Sequence, residues 1–324
     1  MARFGGPGDP FVVANPRASR LQDADRRDRV LDDVRRAVEA ATGRAPRIVV
    51  GEDLTVAEAA LDEAAADGAT MVAVIGGDGT VRDAATRLTG TGIPLAIVPA
   101  GTANLFAATA GVPMRIAHAV DLIADGRTAD LDLGRVRWGA LDEDGNVIGP
   151  DRLPGERIFV VAAGMGFDAA LMAATTGAHK RRFGRYGYFV AGLGQLRRLR
   201  GFDCVVRLDG EPHELRALQV LAANGGELIP GIVRPRRRIN PHDGLLDVFV
   251  VLGDGLVAGT AGALEAIGRR DLGRSRSGRS LRARVRTVRV DASSPQPVEV
   301  DGDAVGQGWF EAEALARSIR VIVP

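Results

Sequence analysis

Gly76-Gly77-Asp78-Gly79-Thr80 is the stretch of this sequence best suited to chemistry. Three glycines leave the main chain bare, so its N–H groups can come close to phosphate oxygens. An apolar run ends just before it and a helical pattern opens at Thr80. The positive end of a helix at that point favours an anion by about 0.3–1 kcal/mol per charge. An acidic Asp78 in such a loop repels phosphate unless a cation stands between them, which points to Mg2+. Two further segments offer similar groups. Pro99-Ala100-Gly101-Thr102-Ala103-Asn104 supplies a hydroxyl and a carboxamide ahead of another helical pattern, and Asn15-Pro16-Arg17-Ala18-Ser19-Arg20 is a polar turn with two cations. Each alone could be an ordinary strand–helix connection, since a lone glycine loop is weak evidence. Three together favour a phosphate-binding edge.

The surrounding pattern supplies the elements that must position them. Phe11–Ala14, Arg47–Val50, Met71–Ile75 and Leu95–Val98 are short apolar runs that read as strands. Between and after them, Asp23–Ala41 (with Val30, Leu31, Val34 and Val38 facing inward), Thr55–Ala66, Thr80–Leu88 and Ala103–Ala110 read as helices. Such alternation predicts a Rossmann-like parallel α/β domain with both sheet faces covered, and ligands in such sheets sit beyond the carboxyl ends of the strands. After Leu133 the pattern changes. Ile158–Ala162, Cys204–Leu208, Ala217–Ala222, Leu246–Leu252, Ala283–Val290 and Pro297–Val300 read as strands of an antiparallel β domain, with one long helical candidate near 168–198. Arg282–Val290 alternates arginine with apolar residues, predicting one apolar and one basic face. The expected division is 1–132 and 133–307, with 308–324 a candidate to complete the first domain.

Composition narrows the class. Hydrophobic residues make up 46% and charged residues 26% of 324, as in ordinary globular proteins. No apolar run approaches the ~20 residues of a membrane span, and Met1–Pro10 does not read as a secretory signal. Cys204 is the single cysteine, so no internal disulfide is available; it reads as a buried strand residue, and His118, His179, His213 and His242 show no metal spacing. The expectation is a cytoplasmic protein. Residues 1–150 carry 16 arginines against 22 acids, and the remainder 26 basic against 19 acidic residues, so the net +1 hides two oppositely charged halves. That near-neutral total and the lack of a recognition motif argue against nucleic acid. Lys180 is the only lysine among 42 basic residues, which singles it out.

Taken with Asp243-Gly244-Leu245-Leu246-Asp247-Val248 and Asp301-Gly302-Asp303, these motifs resemble, in type, order and spacing, the diacylglycerol kinase catalytic family in its bacterial soluble branch, from Asn15 to Asp303. By composition alone both Asp-Gly pairs are turns. The resemblance implies an N-terminal nucleotide-binding α/β domain, a C-terminal antiparallel β-sandwich and an active site in the cleft between them. It implies ATP as phosphate donor and Mg2+ as cofactor. Nucleotide contacts would fall on Asn15, Pro16, Arg17, Ala18, Ser19, Arg20, Gly76, Gly77, Asp78, Gly79, Thr80, Thr102 and Asn104. Asp301 would be the catalytic base and Asp303 the neighbouring acid; Asp78 and Asp303 would hold catalytic Mg2+ through water, and Lys180 would tie the acids together or touch phosphate. A structural Mg2+ would sit on Asp243 and the carbonyls of Leu245 and Asn240. The chain departs from the family pattern at Arg20, at Val81-Arg82-Asp83 and at Asp303.

The activity so implied is a lipid kinase acting at the inner face of a membrane, with diacylglycerol as acceptor and phosphatidic acid as product. A sphingoid base, a glycolipid or NAD are alternative acceptors, and an idle nucleotide- or lipid-binding regulator is a different class of reading. Phe183–Phe189, Arg197, Arg198, Arg200, Arg234–Arg238 and Arg269–Arg289 combine aromatics and arginines that suit a membrane interface. The competing reading is a packed helix and solvated strand faces. A homodimer stays open.

Overall fold

The computed structural model describes residues 7–51, 54–139, 155–166, 200–226, 239–268 and 271–324. Lys180, the helical candidate at 168–198 and the arginines at 234–238 lie outside the described residues. The chain divides into two compact units, Met1–Leu133 with Ala316–Pro324, and Gly134–Leu315.

In the first unit β1 (Phe11–Ala14), β2 (Arg47–Val50), β3 (Val72–Gly76) and β4 (Leu95–Pro99) are parallel, in the order β2-β1-β3-β4. The three inner strands are buried at every position, whereas edge strand β2 is largely exposed. Val13, Val74 and Ile97 on one face and Ala14, Ile75 and Val98 on the other explain why these runs carry no polar alternation: both faces are covered. α1 (Ala24–Thr42) starts where the Asp23 side chain accepts the Arg26 N–H at 2.8 Å and ends at Gly43, whose φ of 74° suits a residue without Cβ. It buries Val30, Val34 and Val38 at helical spacing, and with Val120 and Ile123 of α5 (Ile116–Asp125) packs on Val12, Ala14, Ala73 and Ile75. α2 (Leu54–Ala66) and α3 (Asp78–Leu88) pack on β1 and β3 outside that cluster, on the other face. The end of the chain adds a parallel strand beside β4 through Val321, opposite Leu95. The strand order reverses between β1 and β3, which puts the ligand-binding edge of such a sheet at the loops that follow them.

The second unit is an antiparallel sandwich built from β5 (Arg127–Trp138), β6 (Gly155–Phe159), β7 (Ala162–Gly166), β8 (Phe202–Leu208), β9 (Glu211–Ala223), β10 (Leu246–Leu252), β11 (Gly273–Arg274), β12 (Ser280–Val285), β13 (Thr287–Ala292), β14 (Gln296–Val300), β15 (Asp303–Gly308) and β16 (Phe310–Val323). The first residues of β5 and the last of β16 belong to the other unit. One half of β9 pairs with β8, and its other half pairs with both β10 and β7, so this strand belongs to two sheets. One sheet runs β12-β10-β9-β7-β14-β15 and the other β9-β8-β13-β16-β5-β6. Phe159, Met165, Val206, Val220, Val248, Val250, Val288, Val298 and Phe310 fill the space they enclose. Cys204 lies in the same core, where burial pushes its thiol pKa up to about 11.

Several sequence expectations change. Ile158–Ala162 is not one strand: β6 ends at Phe159 and β7 begins at Ala162, with a bend at Val160–Val161. Ala283–Val290 likewise breaks at Arg286 between β12 and β13. A helix the pattern did not announce, α6 (Gly255–Gly268), packs on β10 and β12. Arg282 is not on a basic outer face: its side chain is 0% exposed. It stands directly across from Phe249, over whose ring its guanidinium lies 4.8 Å from the centroid, and it donates diagonally to Asp247 Oδ1 at 2.7 Å. Removing one partner of a buried pair leaves the other charge stranded. Arg282→Met is therefore expected to cost about 3–5 kcal/mol in urea unfolding, and Arg282→Met with Asp247→Leu distinctly less; equal losses would show that the pair is not the unit of stability.

Candidate active site

The loops after β1, β3 and β4 are stitched together by their own polar groups. Asn15 N–H donates to the Ile75 carbonyl at 3.0 Å and its carboxamide donates to Thr80 Oγ1 at 3.2 Å. Its side-chain oxygen accepts the Arg17 N–H at 2.9 Å, closing a turn that leaves Arg17 exposed and Pro16 and Ala18 buried. Ser19 Oγ and Arg20 N–H both donate to the Ala100 carbonyl, at 3.2 and 3.1 Å, and the Arg20 guanidinium reaches the carbonyls of Pro99 and Met114. Arg20 and Ser19 thus tie the first loop to the third.

The glycine loop is held by contact as much as by hydrogen bonds. A Cβ on Gly101 would lie 2.4 Å from Gly77 Cα, and one on Gly76 would lie 2.6 Å from Thr80 Cβ, so these backbones approach as only glycine permits. A Cβ on Gly79 would meet nothing within 4 Å, and Gly79 is exposed. α3 begins at Asp78, two residues earlier than the pattern suggests, with Gly77 as its extended N-cap and no side chain capping it. The first-turn N–H groups of Asp78, Gly79 and Thr80 therefore belong to a helix start, where no carbonyl precedes them to accept.

Asp78 turns inward. Its two carboxylate oxygens accept the N–H groups of Asn104 at 2.8 Å and Leu105 at 2.6 Å, at the start of α4 (Leu105–Thr109). Burial pushes its carboxyl pKa above the ordinary value, against the pull of those amides. Asn104, left-handed at φ 52° and buried, folds its carboxamide onto Gly101 N–H and carbonyl at 3.0 and 2.9 Å. Asp78 and Asn104 are therefore clamps between the second and third loops. Arg17, Ser19, Gly79 and Thr102 form the exposed side of this edge.

Asp301 and Gly302 make the two-residue turn between β14 and β15, with φ 48° and 86° and Val300 paired to Asp303. The Asp301 carboxylate accepts three main-chain N–H groups: Val160 at 3.0 Å on Oδ2, and Val161 at 2.9 Å and Ala162 at 3.1 Å on Oδ1. These bonds produce the bend between β6 and β7. Asp303 is half exposed and lies 3.6 Å from the Arg157 guanidinium. Two polar residues that the motifs did not single out belong to the same knot. Buried Glu299 accepts the Gly302 N–H at 2.9 Å. Fully buried Asn224 donates its main-chain N–H to the Val161 carbonyl at 2.8 Å and its carboxamide to Val160 at 3.4 Å. The Asn224-Gly225-Gly226 run after a strand was the available sequence signal.

Asp243, which the resemblance assigns to a structural metal, is engaged by groups of the chain itself. Asp243 Oδ1 accepts the Leu245 N–H at 3.1 Å, and Oδ2 forms an ion pair with the Arg284 guanidinium. Arg284 also lies 3.8 Å from Asp247, so a charge of the chain itself neutralises both acids. Among the described residues no three metal-ligating side chains converge. In this structure Asp243 is thus paired with a cation of the chain, and Asn240, Asp243 and Leu245 as metal ligands remain what the resemblance implies.

Comparisons with known proteins agree with this architecture. The diacylglycerol kinase catalytic domain matches residues 9–136, and the YegS C-terminal NAD kinase beta sandwich-like domain matches residues 160–323. A protein named diacylglycerol kinase from Mycobacterium tuberculosis (strain H37Rv) is 35% identical over 233 residues, 67% of this chain and 69% of its own length. An uncharacterised protein of Synechocystis sp. is 29% identical over 262 residues; the alignment spans 80% of this chain but 56% of that protein. The crystal structure of a diacylglycerol kinase from Bacillus anthracis str. Sterne superimposes with a TM-score of 0.70 at 22% identity, covering 100% of this chain and 98% of that one, a likeness of fold. With both of its domains matched and a relative this similar over two thirds of its length, the chain belongs to the diacylglycerol kinase family, in the branch that carries a YegS-type β-sandwich.

Proposed function

We propose that this chain transfers the γ-phosphoryl group of ATP to the hydroxyl of a membrane lipid, with diacylglycerol as the acceptor and phosphatidic acid as the product. The observation that carries the reading is the start of α3, where the first-turn amides of Gly79 and Thr80 have no side-chain cap and sit between loops locked by the Gly77–Gly101 contact and the Asp78 clamp. Main-chain donors held in this way are suited to the charge of a triphosphate, and no reorganisation is needed when it arrives. Arg17, Ser19 and Thr102 would add a cation and two hydroxyls from the exposed side. Asn15, Asn104 and Asp78 would act by holding the loops. Mg2+ enters with ATP, as part of the nucleotide substrate.

Transfer then needs a hydroxyl aligned on the γ-phosphorus. The lipid oxygen forms the new P–O bond, the bond from the γ-phosphorus to the bridging oxygen of ADP breaks, and the hydroxyl proton goes to a base. Asp301 is assigned that proton, on Oδ2, which carries one amide donor where Oδ1 carries two. Asp303 and Lys180 are assigned supporting roles, Lys180 from the resemblance alone. The name of the matched sandwich domain favours a second acceptor, the hydroxyl of NAD, over the same chemistry.

An internal control separates catalysis from architecture. Asp209, in the turn between β8 and β9, also has a left-handed φ, 49°, and accepts the N–H groups of Arg286 and Thr287 at 2.8 Å each. Asp209→Asn and Asp301→Asn should lower the melting temperature to a similar degree. With γ-labelled ATP and diacylglycerol vesicles, only Asp301→Asn should lose turnover, by roughly 10²–10⁴-fold. Retained activity in Asp301→Asn removes the base assignment, and label in NAD instead of lipid removes the acceptor. Because Arg284 is paired with Asp243, EDTA and added Mg2+ should leave the nucleotide-free melting temperature unchanged; a rise with Mg2+ that Asp243→Asn abolishes would contradict the ion-pair assignment.

A further inference from the structure

α6 lies against β10 and β12 by its glycine side. A Cβ on Gly262 would fall 2.7 Å from the Arg279 carbonyl oxygen and 2.9 Å from Val251 Cγ1, and Ala266 is buried. Its opposite face carries Val257 and Leu264, 79% and 74% exposed, the two most exposed large hydrophobic residues among those described. Seven residues apart, they lie within about 20° of one line along the helix. Leu272, 46% exposed, follows α6 in the chain. It also lines a groove of about 620 Å³ with Leu208, Leu215 and Leu281.

The rim of this surface is cationic. The segment joining β11 to β12 runs beside α6, where Ser277 Oγ donates to Glu265 at 2.6 Å. It presents Arg274, Arg276 and Arg279, all exposed and none with a side-chain partner among the described residues. The acids nearby do not cancel them: Asp254 is engaged by Arg216, Glu265 holds Ser277, and Asp271 alone is left exposed. We infer that the Val257–Leu264 face of α6, with Arg274, Arg276 and Arg279, is the surface by which this chain docks on a bilayer containing anionic lipids. A helix lying flat with aliphatic side chains on one face and cations beside them matches the apolar–polar boundary of a leaflet. Arginines near its anionic headgroups add attraction that salt screens. Two copies of this chain joined through the same face would bring six unpaired arginines together, which disfavours self-association there.

This deepens the lipid-kinase reading and rests on it only for its purpose; binding is measured without nucleotide. The full-length chain would be sedimented with vesicles of phosphatidylcholine alone or mixed with phosphatidylglycerol, beside Val257→Asp with Leu264→Asp and the triple variant Arg274→Ser, Arg276→Ser, Arg279→Ser. The substituted side chains are exposed, so melting temperatures should stay at the wild-type value. Wild type should bind the mixed vesicles far better than phosphatidylcholine, and added salt should weaken that binding. The triple variant should lose about a hundredfold in affinity, and the double aspartate variant at least tenfold. Phosphorylation of a water-soluble short-chain diacylglycerol should be unchanged in both. Undiminished vesicle binding by the variants overturns the assignment, as does a wild-type dimer that the aspartates dissociate. Vesicle binding that depends on these residues, without any phosphorylated lipid, would uphold the surface while refuting the kinase reading.

Discussion

A carboxylate that accepts main-chain N–H groups from another segment is the interaction on which this molecule depends. Asp78 joins the loop after β3 to the start of α4, Asp301 bends the chain between β6 and β7, and Asp209 breaks β12 from β13. Each places a short acidic side chain at a turn or a helix start and uses it to satisfy donors that no strand or helix could. The first of these positions underlies the proposed phosphate site. Asp78 holds Asn104 and Leu105, and Gly77 is pressed on Gly101, where α3 opens without a side-chain cap. Without the clamp the same glycines would leave a loose loop, since glycine has the most conformational freedom to lose.

The same interaction gives acidic residues two roles that sequence patterns cannot separate. An Asp-Gly pair between strand residues is a hairpin turn by composition, and both Asp209-Gly210 and Asp301-Gly302 are such turns. Their chemistry differs only in surroundings. Asp301 sits beside buried Glu299, which holds the Gly302 N–H, and buried Asn224, which shares its hold on the Val160–Val161 bend, whereas Asp209 caps a strand break near the surface. Polar residues buried together at a bend require a reason, because each must be satisfied there. For Asp301 the proposed role as base would supply one.

What was legible in the sequence follows from how local its causes are. The parallel sheet was visible because β1, β3 and β4 are buried on both faces and carry unbroken apolar runs. The loops were visible because glycine in a strand-to-helix turn has few other uses. The bends at Val160 and Arg286 were not, because the acids that make them lie 141 and 77 residues away in sequence. Arg282 read as solvent-facing since alternation says which residues share a face but not what covers it; here Asp247 and Phe249 make a fully buried guanidinium tolerable. The ion pair of Asp243 with Arg284 was not legible either, because the two lie 41 residues apart in sequence. α6, with four glycines in fourteen residues, carries too weak a helical signal to stand out.

In the proposed mechanism, main-chain amides at the start of α3 grip the triphosphate. Amide-resolved NMR of the ¹⁵N-labelled chain, titrated with a non-hydrolysable ATP analogue and Mg2+, tests it most directly. The largest shifts should fall on Gly77, Asp78, Gly79 and Thr80, with smaller ones at Arg17 and Thr102. Saturable binding that moves other amides and leaves those four unchanged would contradict it.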